Sequence, residues 1–353
     1  MGIKGNISIE EVADFGHENF TFIDVRSEGE YEQDHIPNAI NIPILNNHER
    51  AEVGTIYKKE GANKAKLRGV DIISPKLPAF IRAISDNYKT KKPLVIYCWR
   101  GGLRSEAAVS FAKLAGITVS KLIGGYKAYR NYVRNYFNTI GEDIKFIVLF
   151  GLTCSGKTAI LDKLKTLRHP VLNLEKYARH KGSSFGHIGE KEYSTVTQKK
   201  FESELFYDMY CGNSKIFFTE GESRKIGRIT IPDPVFKKIK SGYTVLIDAD
   251  MQFRIDFAIK TYKPEVYEKD IFNALPNIKR YIDNKTYTYL EEMLRKKDFK
   301  EFTKTVMENY YDPLYKKGMK KEFDYKIKVK CIDDACEELI KLFNNINSCS
   351  SAV

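Results

Sequence analysis

An apolar run, Phe146-Ile147-Val148-Leu149-Phe150, leads directly into Gly151-Leu152-Thr153-Cys154-Ser155-Gly156-Lys157-Thr158. No other stretch of the chain restricts its fold so tightly. A short apolar run bounded by glycine reads as a buried strand, and the residues from Lys157 onward follow a helical pattern. A strand that passes through G-x-x-x-x-G-K-[ST] into a helix is the phosphate-binding P-loop in the context it requires. The N–H groups of such a turn wrap a phosphate, Lys157 neutralises it, and Thr158 is placed to ligate Mg²⁺. Gly151, Ser155, Gly156, Lys157 and Thr158 are therefore the expected phosphate-binding residues. Two later apolar runs fit strands of the same sheet, 216–219 ending at Glu220 and 244–247 ending at Asp248. Either acid suits a Walker-B-like role toward Mg²⁺, and a solvated strand end is the alternative for both.

The first half of the chain alternates strand and helix signals as well. Strands are expected at 22–25, 39–42, 94–97 and 119–123, and helices from Glu28, over 77–84, over 105–115 and over 126–137. The strand 94–97 delivers Cys98-Trp99-Arg100-Gly101-Gly102-Leu103-Arg104-Ser105. A cysteine at a strand's carboxyl end, followed by Gly-Gly and two arginines, reads as a thiolate on an anion cradle. Cys98 is the expected nucleophile, with Arg100 and Arg104 as catalytic cations that favour the thiolate. Trp99, Gly101, Gly102 and Ser105 complete the loop around the substrate anion. Asp24 and Arg26 are expected to brace it, and His35 to cap a structural turn. The two halves meet near residues 139–143, giving one α/β domain over 1–140 and a second over 141–353, each built on a parallel sheet.

Composition narrows the partners. The net charge is +12 and the pI about 9.1, which favours a polyanion, nucleic acid above all. Residues 264–321 read as helical and basic, with Arg295-Lys296-Lys297 and the lysines of 316–321. Tyrosines interleaved with these lysines point to RNA. No apolar run reaches the roughly 20 residues of a spanning helix, and the first residues lack a signal peptide's apolar core. A soluble cytoplasmic protein with no membrane partner is expected. Its six scattered cysteines suit a reducing compartment. Cys331 and Cys336 have neither the spacing nor the partners of a zinc site, so no metal centre is assigned. Beyond the last strand (325–329) and helix (333–343), residues 347–353 are expected to fray.

Both halves together resemble one family, the bacterial tRNA 2-selenouridine synthases, in which a rhodanese-like domain precedes a P-loop NTPase-like domain. The resemblance rests first on Asp24-Val25-Arg26-Ser27, Asp34-His35-Ile36-Pro37-Asn38-Ala39, the Cys98 to Ser105 loop and Gly124-Gly125-Tyr126-Lys127-Ala128-Tyr129-Arg130. In the second half it rests on the P-loop, the stretch from Arg179 to Gly186, Gln198-Lys199-Lys200-Phe201-Glu202, and the stretch from Glu220 to Gly227. Cys154 stands where the family's loop more often has glycine, and Glu220-Gly221-Glu222 departs from the family's usual wording. The resemblance implies replacement of sulfur by selenium at a wobble 2-thiouridine of tRNA (lysine, glutamate and glutamine tRNAs), with selenophosphate as donor. It implies an S-geranyl-2-thiouridine intermediate made from geranyl diphosphate, Cys98 as selenium carrier, and an enzyme supplying selenophosphate as a further partner. No tightly bound cofactor is expected; a nucleotide with Mg²⁺ is the other candidate occupant of the P-loop. The competing readings are a rhodanese-type sulfurtransferase or a cysteine-dependent phosphatase fused to a nucleotide-binding domain, and a non-catalytic basic binder. The phosphatase reading rests on the five residues between Cys98 and Arg104.

Overall fold

Branched and aromatic runs too short to be helices pair edge to edge wherever helices can cover both faces. In the computed structural model, which describes residues 5–88, 92–212, 214–221, 223–318 and 322–350, this happens twice. Glu222, the 319–321 end of the lysine run, the first four residues and the last three lie outside those residues. The chain divides into two units, residues 1–139 with 199–211, and residues 140–198 with 212–353.

In the first unit β1 (Gly5–Ile7), β2 (Thr21–Asp24), β3 (Ile40–Asn41), β4 (Leu94–Tyr97) and β5 (Val119–Leu122) form one sheet in the order β1-β5-β4-β2-β3. Every pair is parallel. The central strand β4 is buried throughout, so the loop beginning at Cys98 starts from the most rigid part of the sheet. Ile23, Val25, Ile96, Ala108, Ala112 and Val119 share its core. Among the helices with no counterpart in the sequence reading are Asn47–Glu60 and Ala62–Ile73. The first buries no residue and so carries no apolar stripe; a reciprocal cap starts it, with Asn46 accepting from the Glu49 N–H and Glu49 from the Asn46 N–H.

The helix Gln198–Cys211 lies in the second half of the sequence, yet from Lys199 it belongs to the first unit. Phe201, Phe206 and Met209 are buried on it. The Phe206 ring stands edge-on to Tyr129, Tyr132 and Tyr136 of the helix Gly125–Asn138, with centroids 6.1, 5.8 and 5.1 Å apart. A polar network fixes the register. Arg130 pairs with Glu202 and donates to Ser203 Oγ at 3.0 Å, and the Ser203 and Tyr126 hydroxyls donate to Asp34 at 3.0 and 2.6 Å.

The second unit contains β6 (Lys145–Phe150), β7 (Val171–Leu172), β8 (Ile216–Glu220), a two-stranded ribbon of β9 (Lys225–Ile226) and β10 (Ile229–Thr230), β11 (Tyr243–Ala249) and β12 (Tyr325–Val329). Its parallel sheet has the order β12-β11-β6-β8-β7. Ile147, Leu149, Phe218, Val245 and Ile247 face the helix Lys157–Thr166 through Ile160, Leu161 and Leu164, and the last helix through Leu339 and Leu342. That last helix, Ile332–Ser350, outruns the expected fraying point, because Ile346 is still buried in the same core. A second apolar core, including Leu275, Leu290, Leu294 and Phe302, holds the helical region together. Among the described residues no helix is long and apolar enough to cross a membrane.

Candidate active site

Two loops, each at the carboxyl end of a central parallel strand, carry the candidate residues. In the first unit Cys98 follows β4 and is 3% exposed. Its Sγ lies 3.2 Å from Ser105 Oγ and 3.8 Å from the Gly102 carbonyl, to which the Ser105 hydroxyl also donates at 3.0 Å. A thiolate would take the Ser105 hydroxyl as its own donor. Among the described residues, the N–H groups from Trp99 to Ser105 donate to no backbone carbonyl, and the helix Leu103–Leu114 starts within the loop. Such N–H groups and a helix N-terminus favour an anion bound in the loop.

The loop is held open from behind. The Tyr126 and Lys127 N–H groups donate to the Cys98 and Trp99 carbonyls, each at 2.9 Å. This approach needs glycine on both sides. A Cβ on Gly125, at φ +57°, would lie 2.3 Å from the Cys98 carbonyl oxygen, and one on Gly101, at φ +68°, 2.9 Å from the Leu122 oxygen. Gly124-Gly125 is thus as much part of the site as Gly101-Gly102, and the paired glycines were its sequence signal. Arg26 is buried, forks onto Asp24 at 2.6 to 3.0 Å and lies over the Tyr126 ring with 4.0 Å to its centroid. It braces the loop as expected. Trp99 stands 5.2 Å from the Tyr126 ring, with Lys199 Nζ 5.7 Å from its own centroid. His35 stacks on Tyr31 and bonds its carbonyl, a structural turn.

The two arginines part company. Arg104, expected as half of an anion cradle, gives its fork to Glu30, with Nη1 to Oε2 at 2.6 Å and Nη2 to Oε1 at 3.2 Å. Burial opposes the Glu30 charge, but Arg104 outweighs it and holds the carboxyl below its usual range. Arg104 therefore ties the loop to the helix Glu28–Gln33 and acts as a positioning residue. Arg100 is exposed and remains the cation available to a bound anion.

In the second unit Gly151 ends β6, and a Cβ there would lie 2.6 Å from the Ile247 carbonyl oxygen. Gly156, at φ +89°, caps the helix Lys157–Thr166. Cys154 occupies the left-handed region at φ +64°, where a side chain costs about 1–2 kcal/mol. Lys157 Nζ arches over the loop to the Gly151 and Leu152 carbonyls at 2.9 and 3.4 Å. The Thr158 hydroxyl donates to Glu175 Oε2 at 2.8 Å, and the Glu175 N–H to Glu220 Oε1 at 2.7 Å. Glu175 was not singled out in the sequence, since it lies 17 residues beyond Thr158 on a separate short helix with no motif of its own.

Strand parity separates the two candidate acids. Ile216, Phe218 and Glu220 alternate onto the face covered by the P-loop helix, and Glu220 is buried beside Glu175. On β11 that face takes Val245, Ile247 and Ala249, so Asp248 points to the opposite face, where Lys326 pairs with it at 3.0 Å. Asp248 is thereby removed from the Walker-B-like role. The tyrosines of 264–321 need a correction too. Tyr310 and Tyr311 are buried and Tyr267, Tyr287 and Tyr315 pack on the same core; only Tyr281 and Tyr289 are substantially exposed. Most of that aromatic signal is core rather than a stacking surface. Among the described residues no three His, Cys, Asp or Glu side chains cluster to hold a metal.

The fold and the two loops define a rhodanese-like domain with a cysteine loop at the end of its central strand, followed by a P-loop domain. The rhodanese-like family profile matches residues 8–132, and the profile of the tRNA 2-selenouridine synthase AAA domain matches residues 144–345. A tRNA 2-selenouridine synthase of Bdellovibrio bacteriovorus is 35% identical over 268 residues, 74% of this chain and 69% of that one. Another, from a Sulfurovum species, is 30% identical over 328 residues, covering 84% and 88%. The chain belongs to the tRNA 2-selenouridine synthase family, enzymes that transfer selenium.

Proposed function

We propose that the protein replaces the sulfur of a wobble 2-thiouridine in tRNA by selenium from selenophosphate, through an S-geranyl-2-thiouridine. The observation that carries this reading is the buried Cys98, set against Ser105 in a loop of unspent N–H groups. Such a loop favours an oxyanion bound beside the sulfur. Cys98 is the nucleophile of the selenium step, Arg100 and the loop N–H groups hold the donor's phosphate, and Trp99 walls the pocket. The phosphatase alternative requires a free guanidinium fork on the transferred phosphate; here Glu30 fills the fork of Arg104.

The P-loop serves the geranyl step. The thiouridine sulfur attacks C1 of geranyl diphosphate, the S–C1 bond forms as C1–O breaks, diphosphate leaves with the electron pair, and the N3 proton goes to solvent. Lys157 and the loop N–H groups stabilise the charge on the departing diphosphate. The oxygens of Thr158, Glu175 and Glu220 are of the type Mg²⁺ takes and would hold it, the ion shielding the diphosphate when bound. Geranylation turns a poor leaving group into a thiol: the Cys98 thiolate adds at C2 and the C2–S bond breaks as geranyl thiol leaves with a solvent proton, the donor's selenium then displaces Cys98 from C2, and water takes the phosphate from selenium. The net charge of +12 holds the tRNA backbone with salt-sensitive affinity. We place the reaction in a reducing cytoplasm, where the unpaired Cys98 stays reduced.

The test is incubation of the purified chain with 2-thiouridine tRNA, selenophosphate and geranyl diphosphate, followed by mass spectrometry of the digested nucleosides. Wild type should yield 2-selenouridine, and Cys98→Ser should stop at S-geranyl-2-thiouridine. Selenouridine at the wild-type level from Cys98→Ser removes Cys98 from the reaction.

A further inference from the structure

A cavity with almost wholly apolar walls opens beside the P-loop, within the second unit. Thr153 and Cys154 form its end at the loop, and Phe185, Tyr262, Phe302 and Met307 are among its other walls. Two consecutive residues thus belong both to the phosphate turn and to the apolar wall. At this junction the hydroxyls of Thr153 and its neighbour Ser155 are buried with no hydrogen-bond partner. Buried hydroxyls left this way ask for a partner that the protein does not supply.

The far wall is unusual in its backbone. Residues Met307–Tyr311 form a π-helical turn, a geometry that is rare and concentrated at functional sites. Both ends of this turn, Met307 and Tyr311, line the cavity. The turn is coupled to the P-loop by one buried guanidinium. Arg254 Nε donates to the Thr153 carbonyl at 2.9 Å, and its fork grips Asp312, the residue after the turn, at 2.9 and 2.6 Å. Cys154 adds no charge to the wall, because burial pushes its thiol up to about 12 despite the nearby Lys157 and Arg254.

We infer that this cavity holds the ten-carbon isoprenoid chain of geranyl diphosphate while the P-loop holds its diphosphate, an inference that rests on the function proposed above. A phosphate site and an apolar wall sharing two residues fit a ligand with a charged head joined directly to a hydrocarbon tail. A nucleotide's base would bring more polar edges than the unpartnered Thr153 and Tyr311 hydroxyls of these otherwise apolar walls can pair, at a cost of several kcal/mol for those left over. Thr153 and Ser155 mark where head meets tail. Met307, unbranched and adaptable, suits a wall that shapes itself to a flexible chain.

Binding to the full chain separates this inference from the function. Geranyl diphosphate should bind wild type at least ~100-fold more tightly than inorganic diphosphate by calorimetry, since each buried methylene adds affinity. Lys157→Ala should weaken both ligands. Ala258→Phe, which fills the cavity, should cost geranyl diphosphate at least tenfold in affinity and leave inorganic diphosphate unchanged. Met307→Ala, which widens it, should shift the preference toward the fifteen-carbon farnesyl diphosphate. Both variants should show the circular dichroism and the urea-unfolding midpoint of wild type, showing that they fold. Equal affinity of wild type for geranyl and inorganic diphosphate overturns the inference, as does a chain-length preference that neither variant alters. Tight, chain-dependent binding without any transfer to thiouridine tRNA supports the cavity and instead removes the proposed function.

Discussion

Cys98, buried, and Cys154, half-buried, each sit in a loop that follows a central parallel strand, yet their surroundings assign them opposite chemistry. Cys98 has a hydroxyl at 3.2 Å and a loop of unspent N–H groups. Cys154 has an apolar wall and a thiol pushed up to about 12 by burial. Ser105 is the smallest difference that can be tested. Ser105→Ala should slow alkylation of Cys98 by iodoacetamide several-fold, on the order of 1 kcal/mol of lost hydrogen bonding to the thiolate; an unchanged rate would show that the hydroxyl does not support the sulfur. The sequence exposed Cys98, its glycines and Trp99, because a glycine pair between strand and helix has no packing purpose. It did not expose Glu30, since a partner 74 positions from Arg104 is fixed only by the sheet order. Arg104 was therefore read as free when it is not.

Elements were legible where hydrophobic runs are local. The strand 94–97 and the last strand, 325–329, emerged with the bounds read from sequence. The helix Gln198–Cys211 shows the limit. It was not read as a helix from the sequence, and which unit it joins depends on Phe206 meeting Tyr129, Tyr132 and Tyr136. The same docking makes a pH prediction. His17 is buried, stacked on Phe22 and edge-on to Tyr207 of that helix. Burial lowers its pKa from 6.5 to about 4. A histidine with a depressed folded value is protonated first in the unfolded chain as pH falls. The stability it contributes is therefore complete above about pH 6.5 and lost progressively toward pH 4. Between about pH 7.5 and about pH 5 the loss should be about 2 kcal/mol. Urea unfolding followed by fluorescence of Trp99, the single tryptophan, reports the first unit alone. His17→Phe should flatten this dependence, and an unaltered pH profile in that variant would show that His17 is not its source.

At the scale of the whole molecule, two α/β halves and both loops could be read from sequence, because each loop's residues are contiguous. The apolar cavity could not. Aliphatic and aromatic side chains look the same whether they fill a core or line a space, and its walls come from segments spread between Thr153 and Tyr311. The buried Arg254–Asp312 pair was equally silent, joining residues 58 apart. What the assembled chain implies is a division of labour, with prenyl transfer assigned to the P-loop and selenium transfer to Cys98. The most direct measurement gives Lys157→Ala protein a tRNA already carrying S-geranyl-2-thiouridine, with selenophosphate, and quantifies 2-selenouridine by mass spectrometry. The account predicts near wild-type conversion of this substrate and none of plain 2-thiouridine tRNA supplied with geranyl diphosphate. Failure to convert the pre-geranylated tRNA, under conditions where wild type succeeds, would contradict the division.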